Sequence, residues 1–300
     1  MSPVIAVLGS ANMDLVVRQA RPALPGETIF GHRFDTGPGG KGLNQAVAAA
    51  RAGARVAFLG AVGDDDFGAR LRATLVGEGI DVDGLVTLAD PTGIAAITVT
   101  DDGENSIVVV PGANASSALR DADRGRIAAA SHLVVQLERP LELVLEACRF
   151  ARSQGVRTVV TPAPVADGLD ELIDLADVLV LNEGEAQRLA GRADAEDAAT
   201  ALSERAGLVI VTLGARGALV AERGTVRQHI AARPVAAVDT TGAGDAFVGA
   251  LVAWLAGGAE LTEAGAAASA AASLAVTRAG AAASAPTREE ILAILSGSDE

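Results

Sequence analysis

The chain of 300 residues has no tyrosine, one tryptophan and six phenylalanines. With aromatics at 2 %, it offers no stacking platform for single-stranded nucleic acid. Positive charge is also short. Against 38 Asp and Glu stand 24 Lys and Arg, and the net charge of −14 excludes nucleic acid and anionic membrane as broad electrostatic partners. An anionic ligand must then be met locally, by backbone N–H groups, a few cations or a bound metal. The lone cysteine, Cys148, excludes a disulfide framework and a cysteine-based metal site. Its neighbours Leu145, Ala147 and Phe150 predict a buried helical position. His32, His132 and His229 are scattered without metal-ligand spacing. No long apolar run is present: Val4–Leu8 is too short for a signal core and has no basic segment before it. The Ala-rich tract from Ala264 to Val276 is too short and too weakly apolar to span a bilayer and favours helix. These features point to a soluble, cytoplasmic protein.

Half of the residues are hydrophobic, mostly Ala, Val and Leu, enough for a large core. Short apolar runs at Val4–Leu8, Val56–Gly60, Leu133–Gln136, Thr158–Thr161, Val178–Leu181 and Leu208–Leu213 predict strands. Between several of them lie amphipathic stretches such as Leu43–Gly53, Phe67–Gly79, Pro140–Gly155 and Ala195–Ala206. This alternation predicts an α/β fold with a mainly parallel sheet covered on both faces. Two strand pairs break the rhythm: Leu15–Ala20 with Thr28–Phe34, and Ile94–Thr100 with Ser106–Val110 across Asp101–Asn105. They predict a small separate sheet, inserted at about 15–36 and 92–112 of one domain spanning 1–300, that acts as a lid. A small sheet with an exposed apolar face predicts a homodimer through that lid. The tail after Ser296 is polar and reads as frayed.

The most informative run is Asp239-Thr240-Thr241-Gly242-Ala243-Gly244-Asp245, followed by the helical pattern Ala246–Leu255. A glycine turn that opens a helix presents free N–H groups at the positive end of the helix dipole and holds anions. A carboxylate beside an anion hole makes poor sense for holding phosphate alone. It makes good sense if Asp245 takes a proton from an attacking hydroxyl while the N–H groups absorb charge on a transferring phosphoryl group. The plain alternative is a helix N-terminus with ordinary acidic capping. Lys41 is the only lysine among 24 cations, which marks a place where a compact ammonium is needed rather than a guanidinium. It lies in a second glycine loop, Gly37-Pro38-Gly39-Gly40-Lys41-Gly42. That loop is not a P-loop, since Gly42 follows the lysine where Ser or Thr is required. Gly37, Gly39 and Gly42 match a dinucleotide fingerprint, which keeps a dehydrogenase as a distant alternative.

Asn12 and Asp14 follow the first strand and alternate in spacing, so both can face one pocket and bind sugar hydroxyls; an Asx turn is the even alternative. Asn182-Glu183-Gly184-Glu185 reads either as a helix cap or as hard ligands near Mg²⁺ and its waters. Thr212-Leu213-Gly214-Ala215-Arg216-Gly217 reads either as a hairpin turn or as a close approach to a nucleotide.

Together these stretches resemble the ribokinase family of sugar kinases, also called the PfkB family. The resemblance runs from Gly9 to about Pro286 through GSANMD (9–14), GPGGKGLNQAVAAARAGA (37–54), VGDDDFG (62–68), GENSIVVVPGANA (103–115), NEGEA (182–186), TLGARG (212–217), DTTGAGDAF (239–247) and AVTRAGAAASAP (275–286). Leu43 departs from the small residue usual in the second of these. The resemblance implies a ribokinase-like three-layer sandwich with a β-sheet lid and an ATP-dependent kinase acting on a sugar's primary hydroxyl. D-ribose, giving D-ribose 5-phosphate, is the first expectation. Deoxyribose, fructose or adenosine are the alternative acceptors, and a non-catalytic sugar sensor is the alternative class. By the resemblance Asp245 is the base, and the N–H groups of Gly242, Ala243 and Gly244 form the anion hole. Asn12, Asp14, Gly40, Lys41, Asn44 and Glu138 hold the sugar. Asn182, Thr212, Gly214, Gly217 and Gly244 lie along ATP, with Glu185 acting on Mg²⁺ through water. Asp239, Thr241, Ala275, Arg278, Gly280 and Ser284 surround an activating monovalent cation such as K⁺. From the helix dipole alone, Asp245 is expected to stay ionised at neutral pH.

Overall fold

The structure is a computed structural model that describes residues 4–297; of the polar tail after Ser296 that is expected to fray, only Gly297 falls among the described residues. Nine strands form the main sheet: β1 (Val4–Leu8), β4 (Arg55–Gly63), β5 (Asp81–Leu88), β8 (His132–Gln136), β9 (Arg157–Thr161), β10 (Val178–Asn182), β11 (Leu208–Thr212), β12 (Ala218–Glu222) and β13 (Thr225–Ile230). Four more form a small sheet: β2 (Asn12–Gln19), β3 (Arg33–Gly39), β6 (Gly93–Thr100) and β7 (Asn105–Val110). The main sheet runs β13-β12-β11-β10-β9-β8-β1-β4-β5, parallel from β11 to β5, with β12 and β13 antiparallel at one edge.

Strands buried on both faces must be apolar throughout, and their side chains alternate between two cores. In β1, Ile5 and Val7 enter a core with α1 (Lys41–Arg51), α2 (Asp66–Gly77), α8 (Ala243–Ala256), α9 (Leu261–Ala275) and α10 (Arg288–Leu295). Ala6 and Leu8 enter the opposite core with α3 (Asp121–Ala128), α4 (Leu141–Ser153), α5 (Asp170–Leu175), α6 (Glu183–Ala190) and α7 (Ala195–Ser203). The result is a three-layer α/β/α sandwich with a small four-stranded sheet beside it. Cys148 is buried on α4 as expected, and burial pushes its thiol up to about 12.

The order of strands locates the site. From β1 the chain first builds β4 on one side and later β8 on the other, so β1 and β8 diverge at a topological switch point, where α/β sheets open a crevice at their carboxyl ends. Gly9–Asp14 and Gln136–Glu138 sit there. The small sheet grows directly out of this point, because β2 starts at Asn12.

One expected strand is displaced. Thr28–Phe34 is largely irregular, and the strand that pairs with β2 is Arg33–Gly39, so the first three residues of the glycine loop belong to it. Pro38 is tolerated because β3 is an edge of its sheet and bonds to β2 alone. This removes the dehydrogenase reading: the G-x-G-x-x-G match is fed by an antiparallel lid strand, not by the first strand of the parallel sheet. Among the described residues no helix is long and apolar enough to cross a membrane.

Candidate active site

Two helices open toward each other at the crevice, and each opens on a glycine with positive φ. Gly40 (φ 89°) caps α1 and Gly242 (φ 77°) caps α8, conformations that other residues adopt only with strain. Asp245 lies in the first turn of α8. This helix is buried continuously from Ala246 to Trp254, which makes a rigid mount for its first turn. At Gly249 α8 touches α1: a Cβ there would stand 2.7 Å from the Ala49 nitrogen. The close crossing brings the start of α1 against Asp245. Asn44 Nδ2 donates to Asp245 Oδ2 and Gln45 Nε2 to Oδ1, both at 2.9 Å. Crowding by protein pushes the Asp245 carboxyl above its ordinary range, although the Lys41 ammonium and the two amides pull the other way. Burial therefore outweighs the lysine and the two amides, so Asp245 is shaped by more than the helix dipole.

The carboxylate of Glu138, just after β8, accepts from the Lys41 N–H at 3.0 Å and from Ser10 Oγ at 2.5 Å. Ser10, wholly buried after β1, also accepts through its hydroxyl from the Gly42 N–H at 3.3 Å and through its carbonyl from the Leu43 N–H at 2.9 Å. It locks the N-terminus of α1 to the crevice. Asn12, 2 % exposed, is oriented by Asn114, whose Nδ2 donates to Asn12 Oδ1 at 2.8 Å. Asp14 lies on the same face of β2, and burial first, then the charges of Glu138 and Asp245, push its carboxyl up to about 7. Asn12, Asp14, Gly40, Lys41, Asn44, Glu138 and Asp245 thus gather in one cluster at the crevice. Its polarity, mixed donors and acceptors around a few carboxylates, suits a polyhydroxylated ligand. Sequence reasoning missed Ser10, Gln45, Asn114 and Gln136, which hold this pocket in shape.

On the other side of the α8 N-terminus lies a cleft of about 500 Å³. Thr212, Gly214 and Gly217 line one side of it, and Thr240, Ala243 and Gly244 line its floor. The 212–217 turn is a tight link between antiparallel β11 and β12, and Thr212, Gly214 and Gly217 in it face this cleft. The apolar end, for which the sequence offered no landmark, is built by Pro234, Val235, Phe247, Ala272 and Val276. Asn182 and Glu185 do not line it. They form a capping box on α6: Asn182 Oδ1 accepts from the Glu185 N–H at 2.8 Å and Glu185 Oε2 from the Asn182 N–H at 2.9 Å.

Below the α8 N-terminus two loops meet. Asp239 Oδ1 accepts from the Thr241 N–H at 2.9 Å and Oδ2 from the Gly280 N–H at 3.0 Å. Burial alone would raise the Asp239 carboxyl, but these donors together hold it below its usual value. The Arg278 guanidinium is engaged by Glu290, so only its carbonyl is available to this region. Ser284 is buried and donates to the Ala281 carbonyl, and Ala275 closes α9 nearby in sequence to Val276, whose carbonyl accepts from the Val238 and Asp239 N–H groups.

The pfkB family carbohydrate kinase model matches residues 3–288. A ribokinase of Haemophilus influenzae is 40 % identical over 98 % of this chain and 99 % of its own length. The ribokinase structure from Thermotoga maritima superposes with a TM-score of 0.91 at 35 % identity, covering 98 % of this chain and 99 % of that one. Arabidopsis thaliana ribokinase, solved with ribose and ATP, gives a TM-score of 0.88 at 32 % identity over 98 % and 99 %.

Proposed function

Because the chain belongs to the pfkB family of carbohydrate kinases, we propose that it transfers the γ-phosphoryl group of ATP to the primary hydroxyl of D-ribose, giving D-ribose 5-phosphate. The observation that carries this reading is the position of Asp245, at the joint between the polar pocket and the cleft, beside the N–H groups that open α8. Asn12, Asp14, Gly40, Lys41, Asn44 and Glu138 bind the sugar. Its hydroxyl oxygen attacks the γ-phosphorus and gives its proton to Asp245, while the bond to ADP breaks and charge on the phosphoryl oxygens is taken up by the N–H groups of Gly242 and Gly244 and by that of Ala243, which must first leave the Thr240 carbonyl it meets at 3.3 Å. A carboxylate raised by burial is a better base than a free one, and positioning carries most of the rate in such a transfer. Thr212, Gly214, Gly217 and Gly244 follow the nucleotide.

The residues present fit the ions such a reaction uses. Mg²⁺ is held chiefly by substrate phosphates and one or two carboxylates, and it neutralises charge on the transferring group. Glu185, with one oxygen committed to the Asn182 N–H, would reach it through water, and Asn182, outside the lining of the cleft, would serve ATP by orienting Glu185. The loops tied by Asp239 and Gly280 offer only hard oxygen donors, from Asp239, Thr241, Ala275, Arg278, Gly280 and Ser284. That set suits a monovalent cation such as K⁺, whose charge would reinforce the adjacent anion hole. Action in the cytoplasm agrees with the free, buried Cys148, and a homodimer joined through the lid with the exposed apolar residues of β7.

The test is ATP consumption with Mg²⁺ and K⁺ against D-ribose, 2-deoxyribose, fructose and adenosine. A clear preference for ribose in kcat/KM is expected. Preference for another acceptor would revise the sugar contacts and keep Asp245, whereas sugar binding without turnover would favour a sensor.

A further inference from the structure

Behind the Asp245 carboxylate the side-chain amides run in one direction. Gln45 Nε2 donates to Asp245 Oδ1 at 2.9 Å, and Gln45 Oε1 accepts from Gln136 Nε2 at 2.5 Å. Gln45 and Gln136 are each 1 % exposed, so water does not compete for these groups. A primary amide donates at one end and accepts at the other. Gln136, at the end of β8, turns its hydrogens toward Gln45 and so fixes the Gln45 carbonyl on that side and the Gln45 N–H₂ on the side of Asp245. The far end, Gln136 Oε1, is buried with no partner and abuts Gly9, where any Cβ would collide with it. An unpaired buried acceptor is costly. It is tolerated here at the end of a chain whose direction is set by a charged acceptor, the strongest partner available.

We propose that Gln45, held by Gln136, is a positioning residue for phosphoryl transfer: with Asn44 it occupies one lone pair on each oxygen of Asp245 and leaves the remaining lone pairs to face the sugar hydroxyl. The inference rests on Asp245 being the base. A carboxylate accepts at about four lone-pair sites, so two amide donors restrict the direction of approach without blocking it. Both amides present hydrogens, so a proton taken from the sugar cannot pass on through them and leaves by the face it entered. The same donors favour the charged form of Asp245 against the burial that opposes it.

Gln45→Met keeps the bulk of the side chain and removes both ends of the relay, whereas Gln136→Met keeps Gln45 and releases its amide. The pH profile of kcat and the KM for acceptor and ATP are measured for each, with thermal melts and calorimetric binding of the acceptor. Gln45→Met is expected to lower kcat about tenfold to a hundredfold, the size of one hydrogen bond to a charged group. The acceptor KM stays within about threefold, because the lost interaction acts in the transition state. The acid limb of kcat moves to higher pH, since a donor that favoured the carboxylate is gone. Gln136→Met moves the same limb less, and the double variant loses no more than Gln45→Met alone. A kcat for Gln45→Met within about twofold of the parent, with an unmoved acid limb, overturns the proposal and leaves Asp245 as the base. Should Gln45→Met not fold, an unmoved limb in Gln136→Met overturns it instead. Asp245→Asn is carried alongside: substantial turnover there would remove the base assignment itself, and with it the proposal.

Discussion

Asp14 holds a carboxyl raised from 3.8 to about 7, chiefly by burial and then by the neighbouring charges of Glu138 and Asp245. Between those two values the folded chain keeps a proton that the unfolded chain has lost, so stability falls as pH rises. The contribution is complete below about 3.8 and is lost as pH passes through about 7. Asp14→Asn, which cannot ionise, is therefore expected to melt above the parent by a margin that grows from mildly acidic to mildly alkaline solution. Melting curves without sugar across that range check it, and a margin that stays constant would contradict the assignment. The same substitution removes an acceptor for sugar hydroxyls and is expected to raise the sugar KM. Asp14 was readable from sequence because it sits two residues from Asn12 in a strand, with the two side chains on one face. Gln45 was not, because its partners Asp245 and Gln136 lie 200 and 91 residues away. Ser10 meets Glu138 across 128 residues, and neither partner carries a local signature of that contact.

Among the elements, the contact between α1 and α8 sets the geometry around Asp245, since it brings Asn44 and Gln45 to its carboxylate. Gly249 allows the approach: a Cβ would stand 2.7 Å from the Ala49 nitrogen and 2.8 Å from the Ala48 carbonyl carbon. Gly249→Val must push the helices apart, and overpacking of this kind costs about 1–3 kcal/mol. A shift on the order of 1 Å at the catalytic groups can cost about a hundredfold in rate. The expected outcome is a lower melting temperature together with a kcat loss larger than the loss of sugar affinity, measured by denaturation and steady-state kinetics. Unchanged kcat with lowered stability would separate the helix contact from the chemistry. The strands buried between two helix layers were legible as apolar runs, because burial on both faces leaves no place for a polar side chain. The edge strands were not. In β13, Thr225, Arg227 and His229 alternate with less exposed neighbours, and β5 contains Asp81, Asp83 and Gly84. The displaced β3 was hidden by Gly37-Pro38-Gly39, residues that disfavour a strand everywhere except at an edge.

For the molecule as a whole, the small sheet leaves a conspicuous problem of exposure. Its edge strand β7 carries Ile107, Val108, Val109 and Val110 in succession, and all four are exposed, with Val108 at 65 %. Phe34 on the opposite edge strand is exposed as well. Successive residues of a strand point to opposite faces, so apolar side chains stand on both faces of β7, and one face of the lid cannot satisfy both sets by closing over the sugar pocket. An edge strand with unpaired backbone groups and an apolar row invites pairing with another chain. A second copy is the occupant proposed here, because two lids facing one another cover the same residues reciprocally, as a twofold contact requires. At a net charge of −14 each, two copies repel over most of their surfaces, and a lid contact keeps the charged bodies apart. Light scattering on the purified protein is expected to give twice the chain mass. Val108→Asp and Val109→Asp, one on each face of β7, distinguish the partner-facing side: the substitution on that side yields a monomer with intact far-UV dichroism, and it weakens sugar binding because a lid unsupported by its partner no longer holds β2 and β3 steady at Asn12, Asp14 and Gly40. A parent protein that scatters as a single chain would mean that one face of β7 serves closure over the sugar instead, and only the substitution on that face would then act on sugar KM, without changing mass.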